Sequence, residues 1–225
     1  MLNIHDLQVI LINNGGKILD NISKDELEHY RNVRNALPEI NVAEDMAIQE
    51  EISTMYKFGQ KRIARKIRQQ FFTVLEEKKN DSELNVLKLS RVLFVDRPRK
   101  RFRPKHFSLV TRLMHLIHEN YPIYNGNVAN FFGYIPPKGD KVPLFRKLND
   151  YIEFYDYMIK TYREVLLKGE LYDLLKVLEI KNRSYKEILN QSKNLDLVVR
   201  SASQLHRKGE LVLPQKISLS GSFGY

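Results

Sequence analysis

The sequence predicts a mainly α-helical protein. Apolar residues recur at helical spacing over most of the chain, and cap-like residues precede several of those stretches. Strand-like alternation is confined to the end, around Lys216–Leu219. A chain of 225 residues can bury one large core or two small ones. The expectation is one helical domain over 1–225, or two lobes at about 1–96 and 97–208 followed by a tail over 209–225.

Taken in order, Val9–Ile12 form an apolar run that stops at Asn13-Asn14-Gly15-Gly16, a turn signal. A short helix and a strand both fit the run. Ser23 with Glu26 three residues later is a capping-box pattern, so a helix is expected from about Lys24 to Ala36, ended by Pro38. From about 43 to 78, Ile48, Ile52, Met55, Ile63, Ile67, Phe71 and Val74 keep one helical face apolar, with Gly59 marking a kink or break. Asn80-Asp81-Ser82 reads as a turn before a helix over 83–94, with Leu84, Leu87, Val92 and Leu93 inward. Pro98 and Pro104 keep Arg97–His106 from forming one continuous helix. Helices follow over about 105–118, 142–167, 171–180, 185–190 and 195–207, and residues 211–225 read as an extended or disordered tail.

Charge narrows the function classes. The formal net charge is +10, which favours a polyanionic partner, DNA, RNA or an anionic membrane surface, and its clustering makes nucleic acid, DNA first, the expected one. One cluster is the face carrying Lys57, Lys61, Arg65 and Arg68, flanked by Arg62 and Lys66, with no acid from Lys57 to Gln70 to pair with. The other is the strip of Arg97, Arg99, Lys100, Arg101, Arg103 and Lys105 around Phe102. Arginine suits bidentate phosphate contact, and an aromatic among arginines suits stacking or wedging. After it comes the charge-free stretch Asn120–Pro137, in which Tyr121, Tyr124, Phe131, Phe132 and Tyr134 alternate with asparagines. Its composition suits a pocket for a flat polar ligand, with Tyr121, Tyr124, Asn127 and Phe131 as candidate lining.

Other chemistries lack their residues. Cysteine is absent, which removes disulfides and thiolate metal sites and makes the cytoplasm the expected location. No apolar run approaches the ~18–20 residues of a membrane span, so no membrane partner is expected. His115, His118 and Glu119 lie close together but not in a zinc-helix order, and phosphate-loop glycine spacing is missing. No metal and no cofactor are expected.

The segment YPIYNGNVANFFGY, after the helix HFSLVTRLMHLI, resembles the region following the hairpin in the helix–hairpin–helix DNA glycosylase superfamily. In that family a Pro–Ile/Val–x–Asp–x–x–Val segment puts a catalytic Asp at the start of a helix. Pro122, Ile123, Tyr124, Asn125, Gly126, Asn127 and Val128 fall on that pattern. The resemblance implies an all-α fold, a flipped base and N-glycosidic cleavage. It puts Asn125 at the catalytic position, Lys105 near that of the nucleophilic lysine, and Arg112 and His115 as supporting groups. The chain departs from the family in two places. Asn125 is a neutral amide where a carboxylate stabilises positive charge, and Phe102-Arg103-Pro104-Lys105 replaces the Leu–Pro–Gly–Val–Gly hairpin. Asp96, Asp140 or Asp150 would have to supply a displaced carboxylate. Three readings follow: a base-excising enzyme, a non-catalytic DNA-binding protein with a regulatory or defence role, and a helical protein-interaction module.

Overall fold

The computed structural model describes residues 1–60, 63–95, 104–137 and 142–213. Among them every regular element is a helix. The N-terminal run is helical, α1 (Ile4–Asn13), and after a break at Asn14 the chain resumes as α2 (Gly15–Asp20). A side chain at Gly15 would place its Cβ 2.9 Å from Leu174 Cδ1, a contact that a shift of the half-buried leucine tip would relieve. Helix α3 (Lys24–Ala36) begins where the capping pattern puts it, with Ser23 Oγ accepting from the Glu26 N–H.

The long helix expected over 43–78 is two helices, α4 (Met46–Met55) and α5 (Arg65–Lys78). The break is a Schellman motif. The Phe58 N–H reaches Ser53 O at 2.9 Å and the Lys57 N–H reaches Thr54 O at 3.0 Å, with Lys57 left-handed at φ 56°. The predicted cationic face is therefore not one helix face. Lys57 belongs to the turn, Arg65, Lys66 and Arg68 to the first turn of α5, and Lys61 and Arg62 lie outside the described residues.

Helix α6 (Val86–Ser90) runs into a π-helical turn over Arg91–Val95. The inward positions are Leu89, Ser90, Leu93 and Phe94, spaced three and four apart, so Leu87 and Val92, expected inward, fall on the exposed side while Leu93 is buried. The strip Arg97, Arg99, Lys100, Arg101, Phe102 and Arg103 lies outside the described residues. Helix α7 (Pro104–Ile117) follows, then α8 (Gly126–Phe131), α9 (Leu144–Lys168), α10 (Tyr172–Lys181), a 3-10 turn over Arg183–Ile188, and α11 (Gln191–Lys208).

α11 is the centre of the molecule and packs against α1, α2, α8, α9 and α10. Both α7 and α11 are buried on nearly every face, and residues from both sides of position 96 share one hydrophobic core. The segment after α11 is held, not loose. Asn14 Nδ2 donates to Val212 O at 3.0 Å, and Val212 N–H donates to Asn14 Oδ1 at 2.8 Å. Residues 214–225 lie outside the described residues.

Candidate functional site

Helices buried all round must pair their polar side chains inside the protein. Asp196 of α11 accepts the Ile123 N–H at 2.9 Å through Oδ1 and Arg200 Nε at 2.8 Å through Oδ2. Arg200 also meets Glu26 Oε1 at 2.5 Å, tying α3 to α11. Burial pushes the Asp196 and Glu26 carboxyls up, but the neighbouring cations, Arg200 foremost, outweigh it and hold both below the usual carboxylate range. One turn before Asp196, Lys193 Nζ sits 3.6 Å above the Tyr30 ring and 2.9 Å from His115 Nε2. An ammonium only donates, so His115 Nε2 accepts and its Nδ1–H donates to Tyr121 O at 2.8 Å. Burial together with the Lys193 charge drives the His115 imidazole down to about 3, and burial lowers the Lys193 ammonium to about 8. This network fixes Tyr121–Ile123, the residues that lead into Asn125.

Asn125 is the N-cap of α8. Its Oδ1 accepts the N–H groups of Asn127 at 2.9 Å and Val128 at 3.0 Å. It opens onto a cavity of about 520 Å³ with Ile123, Gly126 and Asn127 on one side, Tyr56, Lys57 and Gln60 on another, and α11 along the floor. Five cationic side chains line it among the described residues: Lys57, Arg112, Arg200, Arg207 and Lys208. The one carboxylate in its lining, Glu26, is already paired with Arg200. A second cavity of about 360 Å³, with Asn21, Ser23, His29 and Ser201, shares Glu26, Lys57, Gln60, Arg200 and Gln204 with the first. The two form one groove along the 197–208 face of α11, cationic at its C-terminal end and lined by amides, hydroxyls and the Asp25 carboxylate at the other.

Arg112 stands apart. It is 8% exposed, its guanidinium lies 5.0 Å from the Tyr56 ring centroid, and Nη1 makes only a 3.4 Å contact with Tyr56 O. Among the described residues no carboxylate lies within ion-pair distance of it. Burial pushes it down to about 10. Its Nε, and Nη2 of Arg200, are enclosed without a hydrogen-bond partner.

No family model, curated protein or solved structure matches the chain. The site is read from its own residues.

Of the residues singled out in the sequence, the fold brings Asn125, Asn127, Arg112 and Lys57 to one cleft. Lys105, half-buried in the first turn of α7 and two turns from Arg112, is not in the lining of that cleft. His115 is fully enclosed between Lys193 and Tyr121 O, so it is a packing and hydrogen-bonding residue without solvent access. The aromatic pocket is corrected too. Tyr124 and Phe131 are core residues, Tyr124 edge-on to Phe107 and Tyr151. Tyr121 is half-buried, its hydroxyl turned to Leu84 O. An aromatic run beside a short helix in a small protein is used to fill the core first. Arg65 and Lys66 are exposed and Arg68 half-buried, outside the cleft lining. Asp150 lines a separate cavity with Tyr134 and Glu153, and Asp96 and Asp140 lie outside the described residues. Among those residues no group of three His, Cys, Asp or Glu gathers as a metal site requires, and no helix is long and apolar enough to cross a membrane.

Glu26, Arg200, Gln204, Arg207 and Lys208 were not legible as site residues. The available signal was the spacing of Lys193, Asp196, Arg200, Gln204 and Arg207, each three or four residues after the last, which draws one polar stripe down an otherwise apolar helix.

Proposed function

We propose that the protein binds nucleic acid, DNA in the first instance, with the sugar–phosphate backbone at the cationic end of the α11 groove and a base toward its amide-rich end. One observation carries this reading: five cations face a single, already neutralised carboxylate in one cleft. Cations without local acids are free to displace counterions from phosphates, and that release drives most nonspecific affinity. Arg65 and Lys66, exposed at the head of α5 five and six residues beyond Gln60, extend the contact. The amides and hydroxyls of Asn21, Ser23, Gln60, Ser201 and Gln204 supply donors and acceptors for a base edge.

Binding is tested with fluorescent single- and double-stranded DNA and RNA oligonucleotides over a range of salt. Engagement of the four cations without a protein carboxylate gives a slope of log K against log salt of about −3 to −4. Gly126→Glu puts a carboxylate at the mouth of the cleft. A Cβ at Gly126 meets nothing within 4 Å, and an acid in the first turn of a helix is favourable, so this change leaves the fold intact. Loss of oligonucleotide binding in that variant is expected; unchanged affinity would remove the cleft from the reading.

Base excision is the second reading, favoured by the position of Asn125, an N-cap at the cleft and one atom away from an aspartate. Against it stand the neutral amide, committed to two backbone N–H groups, and the engagement of Glu26 by Arg200. Abasic-site formation on modified or mismatched duplexes decides between the readings. Activity in wild type that is lost with Glu26→Gln makes the protein a glycosylase; activity gained only with Asn125→Asp makes it a decayed enzyme; none in either keeps it a binder.

A further inference from the structure

We propose that Arg112, backed by the Tyr56 ring and joined by Lys57, forms a dedicated subsite for one phosphate group of the bound strand. The proposal deepens the nucleic-acid reading and rests on it for the source of the phosphate. Two independent features at this corner of the cleft each cost stability and each are explained by an anion.

The first is the buried guanidinium. Removing a charge from water is expensive, and proteins normally compensate it with a carboxylate. Arg112 is buried to nine-tenths, lines the cavity, has an enclosed Nε without a partner, and has no carboxylate within ion-pair distance among the described residues; Glu26 and Asp196 act on it only from further off. Burial, with the Arg200 charge adding to it, pushes the Arg112 pKa down to about 10, and the more distant carboxylates only partly offset this. Stacking on Tyr56 returns only part of the cost. A guanidinium fork is also the geometry that matches two phosphate oxygens.

The second is Lys57. It occupies the left-handed C′ position of the α4 Schellman turn, where glycine is the usual residue and a side chain costs about 1–2 kcal/mol. The residue is exposed, so core packing does not hold a lysine there. It follows Tyr56 directly, and the turn carries its side chain to the lining of the cavity that Arg112 shares. A strained backbone in a ligand-facing cation is the pattern of a residue kept for what it binds.

The same physics gives a signature that a merely structural role would reverse. Arg112→Met keeps the stem on Tyr56 and removes the uncompensated charge; Lys57→Gly relieves the strained turn. Each variant is expected to melt higher than wild type in phosphate-free buffer, by a few degrees for about 1 kcal/mol in a chain of this size. Each is also expected to bind inorganic phosphate about tenfold or more weakly, the loss of one charge-assisted hydrogen bond.

Titration calorimetry and thermal shift with inorganic phosphate, matched against chloride at equal ionic strength, read both quantities, and competition with a bound oligonucleotide identifies the source. Phosphate that binds, displaces the oligonucleotide and loses its effect in both variants supports the proposal. Wild type that ignores phosphate but binds oligonucleotides overturns the subsite and leaves the nucleic-acid reading standing. Phosphate binding without oligonucleotide binding overturns the strand as its source and the nucleic-acid reading with it, leaving a site for free phosphate. Should Arg112→Met fail to fold, Lys57→Gly decides alone: lower stability with unchanged phosphate affinity overturns the proposal.

Discussion

Asp196 holds two structures at once: the segment entering Asn125, through Ile123 N–H, and the Arg200–Glu26 pair. Removing it leaves the buried Ile123 N–H without an acceptor and Arg200 with Glu26 alone, so Asp196→Ala should cost about 3 kcal/mol in chemical denaturation. A triple variant, Asp196→Asn with Arg200→Met and Glu26→Gln, removes all three charges together and keeps an acceptor for the Ile123 N–H, so it should cost less than stranding one of them. His115 gives the pH dependence. Its folded-state value of about 3 lies below the ordinary 6.5, so the unfolded chain binds the proton first as the pH falls. Stability is full above about pH 6.5 and drops below it, by up to about 1.4 kcal/mol per pH unit from this residue. Lys193 acts in the other window: its lowered value of about 8 means that the cost of burying it charged is relieved as the pH rises from 8 toward 10.5. Denaturant midpoints between pH 4.5 and 8 should fall on the acid side in wild type and flatten in His115→Gln.

At the scale of the element, α8 is short and depends on its cap. Asn125→Ala should destabilise the protein by about 1 kcal/mol, whereas Asn125→Asp, an equally good cap, should leave the midpoint nearly unchanged. That separation lets an activity assay on Asn125→Asp be interpreted without a folding artefact. The helices with explicit boundary chemistry were legible in the sequence: α3 with Ser23 and Glu26, α7 after Pro104, and α9 to its left-handed Gly169. The break between α4 and α5 was not, because its left-handed residue is a lysine and Gly59, the residue that signals a break, comes two positions later. The π-helical turn was equally silent, and with apolar residues at Leu87, Leu89, Val92, Leu93 and Phe94 the composition alone does not pick out the 89/90/93/94 face that is buried. For the site, the Pro122–Val128 pattern located Asn125 at a helix start facing a cleft. Burial could not be read from it, so Tyr124 and Phe131 looked like lining when they are core.

At the scale of the whole molecule, one core joins the helices before and after position 96. Far-UV circular dichroism and tyrosine fluorescence should therefore report one coincident unfolding transition; two separated transitions would mean lobes at about 1–96 and 97–208. The central place of α11 has a consequence for how the chain acquires its shape. The helix that supplies the interior partners of Glu26, His115 and Ile123 is the last regular element among the described residues. A ribosome-bound chain that has emerged only through α10 has every outer helix and none of those partners. Contacts spanning 73 to 183 residues must then close together, as Ile123 with Asp196 and Ile18 with Ser201 do, which makes folding slow.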